Sequence, residues 1–591
     1  MANIDKAPMG VNIRRQYKAE ARFLRAWYYY ILLRHYGGIP IIGDTCYKAN
    51  DKVKATRDTY ETCVNYVVNE CKAILDDGAL LPRFSGRSNG RISAAACHAL
   101  IMRACLDAAS PLHNGSGFGT DSTRTLLGYP VYDKERWRTA YDAARAAMTM
   151  RGDYRLFEYH YCYDFPKAGD EKGWGFYAVQ VAGEYVTKCT SYGDFTYPYG
   201  PYQEIILQRK LPLSTTTNRY LDPPSAGGDG SGGYAYSDMA DAFPMIDGKK
   251  PMESGVHYDP KKFFLNRDPR FYRTFAFPGV EWKFNSGNVD FSGATMSGLC
   301  PTRYTSGANY ELWNYCWYTT ADERNNPSRS GFAADMLGTK NRGVYVRKRS
   351  DDFDLGTSLY VFTDNSSGDQ QGFRRSAAPY MEIRYAEVLL NLAESACGAG
   401  GTYHAEGVKA LKAVRGRVGY TSANNYGLDA AIETDRAKLF EAILYERQVE
   451  LAFEGKRAYD MRRWMLFDGG VGQGALNASW ALSGFGGNTC TYLGVTPMNE
   501  RGKRYRIEIN VEGTGSANND SDPIKNVERP AALTLNEKIA TEADGETILD
   551  PAVSSICTFY DTYFSRKDIS LDGNVPVSYT HLRAHETDSY L

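Results

Sequence analysis

The feature that most restricts the fold is an interruption. Apolar residues recur with helical period on both sides of a long stretch, about Arg151 to Pro379, in which that period is lost. From Tyr17 to Tyr36 one ridge runs through Ala21, Leu24, Tyr28, Ile31 and Leu32, and a second through Phe23, Trp27 and Tyr30, which predicts a helix buried on two sides. Gly37-Gly38-Ile39-Pro40 ends it. Further helices are predicted over about Arg57–Leu75, Ser93–Ala109 and Trp137–Met148, with Pro82 and Pro111 in the connections. Short connections imply antiparallel hairpins, and repeated amphipathic hairpins imply stacked pairs of the tetratricopeptide kind, although that repeat's consensus is not legible. The period returns at Ile383, Ala386, Leu390 and Ala393, then again after Asp435 through Phe440, Leu444 and Leu451 to a break at Gly455. A helical layer split in this way is one architecture, not a string of independent domains.

Glycine, proline, tyrosine and short strand-like runs such as Glu204-Ile-Ile-Leu-Gln and Gly343-Val-Tyr-Val-Arg fill the interruption. Loops carried on a rigid scaffold are common binding surfaces, so function is expected there. Only Ser225–Gly233, glycine-rich and apolar-poor, reads as a mobile loop. The expected organisation is residues 1–150 as the first part of a helical scaffold, 151–379 as an irregular ligand-binding insert, 380–470 as the second scaffold part, 471–574 as a loop-rich C-terminal region and 575–591 as a non-native tail. The fold class is mainly α, a tetratricopeptide-like scaffold with a large irregular insert containing short strands.

At 591 residues, 43% hydrophobic and 24% charged, the chain can bury a large core. Lysine plus arginine (69) nearly cancels aspartate plus glutamate (70), which argues against nucleic acid or an anionic membrane as a partner. No apolar run reaches the ~18 residues of a membrane span. The start, Met1-Ala-Asn-Ile-Asp-Lys, lacks an apolar signal core, which taken alone suggests the cytoplasm. The 12 cysteines include no CxxC pair. Cys63/Cys71 and Cys97/Cys105 lie eight apart on predicted helices, a spacing that fits buried thiols and neither a zinc site nor a thioredoxin-like motif.

Glu446, Arg447, Glu450, Glu454, Arg457, Asp460, Arg462 and Arg463 crowd one helix end. An enzyme would use two such carboxylates as acid and base. The structural alternative makes Glu446/Glu450 and Glu450/Glu454 i,i+4 neighbours neutralised by Arg447, Arg457 and Arg463, an ion-pair network ordering a helix junction. Asn266-Arg-Asp-Pro-Arg-Phe places Asp268 as a helix N-cap and Pro269 at the first helical position. With 8 histidines and none in a nucleophile motif, no serine or cysteine is marked as catalytic, and no phosphate-cradling loop occurs.

The unusual count is 45 tyrosines beside 25 phenylalanines and 8 tryptophans. Tyr304, Tyr310, Trp313, Tyr315, Trp317 and Tyr318, with Trp282 upstream, lie in the insert, interleaved with Asn309, Glu311 and Asn314. Aromatic rings stack on the apolar faces of sugars while amides and carboxylates bond the hydroxyls, so this is the composition of a glycan cradle. Local loop packing uses the same residues. Tyr192, Tyr197, Tyr199 and Tyr202 form a weaker second group, alternating with proline and glycine.

Five segments in order carry a family resemblance: Glu20-Ala-Arg-Phe-Leu-Arg-Ala-Trp-Tyr-Tyr with Leu33-Arg-His-Tyr-Gly-Gly-Ile-Pro-Ile; Gly90-Arg-Ile-Ser with Ala108-Ala-Ser-Pro-Leu; Asn266-Arg-Asp-Pro-Arg-Phe-Tyr; Arg384-Tyr-Ala-Glu-Val-Leu-Leu-Asn-Leu-Ala-Glu; and Tyr445-Glu-Arg-Gln-Val-Glu-Leu-Ala-Phe-Glu-Gly-Lys-Arg. Together they resemble the SusD/RagB family of outer-membrane nutrient-binding lipoproteins. The resemblance implies a tetratricopeptide-like scaffold, lipid-anchored on the extracellular face of the outer membrane beside a SusC-like TonB-dependent transporter, that binds a nutrient, expected to be an oligo- or polysaccharide, without catalysis; the sequence itself marks no cofactor and no metal ligands. A glycoside hydrolase and a peptide-binding helical module are the alternatives. Family members carry a lipoprotein signal and further helices before the signature helix, so an N-terminal part is expected to be missing. Val577-Ser-Tyr-Thr-His-Leu-Arg-Ala-His-Glu does not resemble the family's terminus and reads as a translated sequencing adaptor. The His581/His585 pair, at metal-ligand spacing, is set aside with it.

Overall fold

A computed structural model of the chain describes residues 3–52, 54–85, 88–115, 119–121, 123–158, 173–181, 201–210, 237–256, 258, 266–276, 281–283, 309–311, 345–348, 360–363, 372–376, 379–465, 491–498, 506–510, 534–538, 556–558 and 563–570. The loop Ser225–Gly233, the tail 575–591 and its His581/His585 pair lie outside them. The chain forms two compact units, one of Met1–Glu158, Pro198–Arg209 and Met381–Asn488, the other of Tyr159–Tyr197, Lys210–Tyr380 and Thr489–Leu591.

The first unit is a layer of helices: α1 (Val11–Tyr36), α2 (Tyr60–Asp77), α3 (Ala94–Ala109), α4 (Glu135–Met148), α5 (Tyr385–Ala399), α6 (His404–Arg417), α7 (Arg436–Glu450) and α8 (Arg457–Arg463). Each of α1 to α5 packs on the next, and α5 also packs on α6 and α7. The α4–α5 contact closes the layer across the interruption, as one architecture requires. The protein is mainly helical, a tetratricopeptide-like scaffold with few strands.

Capping fixes several of these boundaries. The Thr59 hydroxyl accepts from the Thr62 N–H at the start of α2, and Asp435 accepts from Ala437 and Lys438 at the start of α7. At the middle of the layer, α3 and α5 are buried on every side, α3 by an alanine-rich sequence that lets its neighbours come close. Trp137 of α4 is fully buried, with its ring 5.6 Å from that of Phe440 and 6.1 Å from that of Trp464. It lies where a side chain on Gly398 would stand, so that glycine makes room for the indole. Cys63, Cys71, Cys97 and Cys105 are buried free thiols of α2 and α3, as their spacing leads one to expect.

α1 departs from expectation. Ala19, Phe23, Ala26, Tyr30 and Leu33 are buried, but the ridge through Leu24, Tyr28 and Leu32 is 42%, 61% and 43% exposed. The helix is buried on one side, the side it turns to α2 and α3. α6 is a helix where periodicity predicted none; Gly407 stands where it meets the Ala393 backbone of α5.

In the second unit the described elements are short. The helix Pro269–Thr274 begins as the sequence predicts: Asp268 is the N-cap, accepting from the Arg270 N–H, with Pro269 in the first turn. The helix Trp174–Val181 packs on it. Antiparallel ladders join Phe275–Ala276 to Tyr345–Val346, Glu281–Lys283 to Asn309–Glu311, and Tyr360–Thr363 to Gly372–Ser376. Farther along, in the region expected to be loop-rich, Thr491–Met498 pairs with Tyr563–Ser570, and Arg506–Asn510, Thr534–Lys538 and Ile556–Thr558 make a three-stranded sheet.

The exit of α1 shows why two glycines stand together. Gly37 has φ +73°, and its N–H caps the helix on the Leu33 carbonyl. A Cβ there would strike the Leu126 carbonyl, and one on Gly38 the Asp58 carbonyl. Gly37→Ala is therefore expected to cost about 1–3 kcal/mol, read as a lower urea midpoint for the helical unit. An unchanged midpoint would show that the turn can rearrange freely.

Candidate functional site

Of the seven aromatic residues predicted to bind ligand, two lie in described elements. Trp282 sits in the strand Glu281–Lys283 and Tyr310 in Asn309–Glu311, and they are direct partners in the antiparallel register. Tyr304, Trp313, Tyr315, Trp317 and Tyr318, with Asn314, lie outside the described residues. Directly opposed positions of a ladder share one face, so Trp282 and Tyr310 fall on the same face although 28 positions separate them in sequence. The pairs Glu281/Glu311 and Lys283/Asn309 flank them, and alternation puts those four positions on the opposite face.

In the weaker group, Tyr192, Tyr197 and Tyr199 lie outside the described residues. Tyr202 is half-buried in the helical unit. The Arg83 guanidinium lies 5.2 Å from its ring centroid and donates to its carbonyl, so its described role is in packing. Among the described residues no group of three or more histidine, cysteine or acidic side chains could hold a metal ion.

The charged residues at the end of α7 form a network, but with other partners than the sequence suggested. Glu446, Glu450 and Glu454 are buried. They are met by arginines from outside their own segment: Glu446 by Arg415 at 2.7 Å, Glu450 by Arg384 at 2.7 Å and by Arg417, and Glu454 by Arg384 at 2.8 Å. Arg447 and Arg463 turn instead to Asp460, at 2.8 Å each, and Arg463 also binds Glu394. The Trp464 indole N–H donates to Glu394 at 2.7 Å. A third cluster joins Arg103 to Glu387 and Glu382, both at 2.7 Å, with Lys456 at 3.3 Å from Glu382. None of these long-range partners has a signature in local spacing.

Arg384 is the most connected group. Its Nε–H donates to Glu454, its Nη1 to Glu204 and Glu450, and its Nη2 to Glu454 and the Glu450 carbonyl, so each of the five guanidinium N–H groups has an acceptor. Glu204 accepts further from Arg417 at 2.7 Å and from the Phe157 N–H at 3.0 Å. Burial opposes charge on Glu382, Glu387 and Asp460, yet neighbouring cations outweigh it and hold all three below the usual carboxylate range, Asp460 at about 2. His113 behaves oppositely. Its ring is stacked on Tyr60 with centroids 4.3 Å apart, and burial lowers its pKa to about 4.

Comparison with known proteins agrees with this architecture. Residues 187–487 match the model of the SusD family, and residues 6–106 match a family described as starch-binding associating with outer membrane. The SusD-like protein P2 of Formosa agariphila is 38% identical over 95 residues, a match spanning 16% of this chain and 18% of that protein. Among solved structures, the protein BT4246 superposes with TM-score 0.53 at 22% identity, covering 78% of this chain and 76% of its own. A SusD-like protein from Bacteroides fragilis gives 0.50 at 19% identity, covering 84% and 74%. At these identities the structural likeness establishes the fold.

Two of these shifted groups, His113 and Asp460, predict how acid acts on the helical unit. Unfolded His113 takes up a proton near pH ~6.5, whereas folded His113 resists until about 4, so stability is lost as pH falls through that window. Unfolded Asp460 protonates near ~4 and folded Asp460 only near 2, so a second loss, on the order of 2 kcal/mol, falls between those values. Urea midpoints measured against pH should show both limbs. His113→Gln should flatten the upper and Asp460→Asn the lower, and a curve unchanged by either variant would contradict the assignment.

Proposed function

The chain belongs to the SusD family, and from that premise we propose that it captures an oligo- or polysaccharide at the cell surface and hands it to a SusC-like, TonB-dependent outer-membrane transporter. Members of this family are associated with the outer membrane. No helix among the described residues is long and apolar enough to cross a membrane. In this reading the chain is held on the extracellular face by a lipid anchor and needs no cofactor.

The observation that carries the proposal is the register of Trp282 opposite Tyr310. Two aromatic residues on one face of a ladder can offer a flat apolar platform with a hydroxyl at its edge, and a sugar ring needs both. Tyr304, Trp313, Tyr315, Trp317 and Tyr318 are proposed to extend that platform.

Binding without turnover is supported by where the acids are. A glycosidase needs two carboxyl groups about 5–10 Å apart flanking the bond. The buried carboxylates of the helical unit are engaged by arginines. Glu281 and Glu311 are direct register partners, a feature that favours a hydrolase, but alternation puts their positions on the face away from Trp282 and Tyr310.

A glycan array followed by titration tests the proposal. One glycan class should bind without release of reducing ends, and Trp282→Ala and Tyr310→Ala should each weaken binding by about 1–2 kcal/mol, roughly five- to thirtyfold. Trp313→Ala and Trp317→Ala should weaken it similarly. Full affinity in all four variants removes this site. Reducing ends lost in Glu281→Gln would establish the hydrolase instead, and binding of peptides but no glycan would overturn the ligand class.

A further inference from the structure

We propose that the buried cluster of Glu204, Arg384, Arg417, Glu450 and Glu454 is a clamp at the root of the ligand-binding segments: it fixes the points at which the chain leaves and re-enters the helical unit. The inference rests on the reading that these segments carry the glycan site.

The chain leaves the helical unit after Glu158, returns at Pro198, leaves again after Arg209 and returns at Met381. The cluster lies next to the first exit and the second return, and its Glu204 belongs to the short segment between the other two. The Phe157 N–H, next to the first exit, donates to the Glu204 carboxylate at 3.0 Å. Glu204 stands in the return segment, directly before the strand Ile205–Arg209 that ends at the second exit. Arg384 closes the strand Tyr380–Arg384 that forms the second return, and the two strands pair with each other. A two-stranded ladder is marginal by itself. The Glu204–Arg384 ion pair at 2.7 Å pins one strand to the other, and the Tyr385 N–H donates to the Glu204 carbonyl at 2.7 Å. Arg417 of α6 holds the same Glu204, while Glu450 and Glu454 hold Arg384 to the end of α7. One carboxylate and one guanidinium therefore gather both excursions onto two helices of the scaffold.

Burial makes the device all-or-none. Removing one partner leaves charge in a site without water, so the cluster opens as a group and does not loosen bond by bond. The Arg415–Glu446 pair is equally buried and has the same chemistry, but joins α6 to α7 without touching a crossing. It is the control.

The test is amide hydrogen exchange on the full chain, read by peptide for residues 159–197 and 210–380 and for α1 to α3. Glu204→Gln, which keeps shape and removes charge, should speed exchange in both excursion segments by about tenfold or more while α1 to α3 exchange as in the wild type. Glu446→Gln should leave both excursions unchanged. If Glu204→Gln does not fold, Arg417→Lys, which keeps the charge but loses the fork, should give the same pattern more weakly. Equal acceleration throughout the helical unit, no acceleration in the excursions, or the same acceleration from Glu446→Gln would overturn the clamp. Exchange needs no ligand, so a wild-type chain that binds no glycan would remove the glycan reading and leave this result standing. Where a glycan binds, its affinity should fall about tenfold in Glu204→Gln and stay at the wild-type value in Glu446→Gln.

Discussion

The buried guanidinium of Arg384 is the interaction on which most of this architecture depends. Moving an arginine and its carboxylates out of water costs several kcal/mol per ion, and attraction offsets that only if nearly every donor and lone pair is used. Arg384 meets the condition, with acceptors for all five N–H groups drawn from the turn before a strand, from a helix end and from the turn that follows that helix. Those acceptors are close to one another only when α7 is packed and both strands are in register. The charge cluster and the helical packing are thus mutually dependent, which is how a long chain with two excursions can return to one layer.

The same logic repeats along the layer. Tyr30 and Arg34 of α1 meet Asp107 of α3, Arg103 of α3 meets Glu387 of α5, and Glu394 of α5 meets Arg463 of α8. Alanine-rich faces such as that of α3 can slide against a neighbour at small cost, whereas a bidentate ion pair admits one register. Specifying partner and register is the best-attested use of buried polar groups. Tyr459 and Arg462 of α8, just past the last of the five segments that carry the family resemblance, bond to His35 in the first of them, across more than 400 residues of sequence.

Helices with a strong apolar period were legible from the sequence, and so were their ends where a glycine or capping residue marks them, as at Gly37 and Asp435. Period identifies an apolar ridge but not what lies against it, and so the ridge of Leu24, Tyr28 and Leu32 was expected inside and is exposed. α6, with two glycines and a weak stripe, gave too little periodic signal to be read as a helix. The acidic cluster at the end of α7 was legible as an ion-pair site, but local spacing can propose only local partners, and Arg384, Arg415 and Arg417 come from elsewhere. For the candidate site, composition singled out the aromatic residues of the insert. It had no means of setting Trp282 opposite Tyr310, because strand register is a property of two segments at once.

This division of chemistry bears on the proposal that the chain binds a glycan and does not transform it. Acid–base catalysis needs carboxyl groups that can change protonation near neutral pH. The carboxylates of Glu382, Glu387 and Asp460 are instead held ionised by cations, well below that range. Recognition of a sugar asks for something different: flat apolar surface edged by hydroxyl and amide groups, held still so that little order is lost on binding. A scaffold whose charges are spent on holding its own helices, with aromatic residues on strands of the excursions, separates the two demands. In the proposed reading, stillness comes from ion pairs buried in the helical unit and contact from the aromatic residues of the excursions.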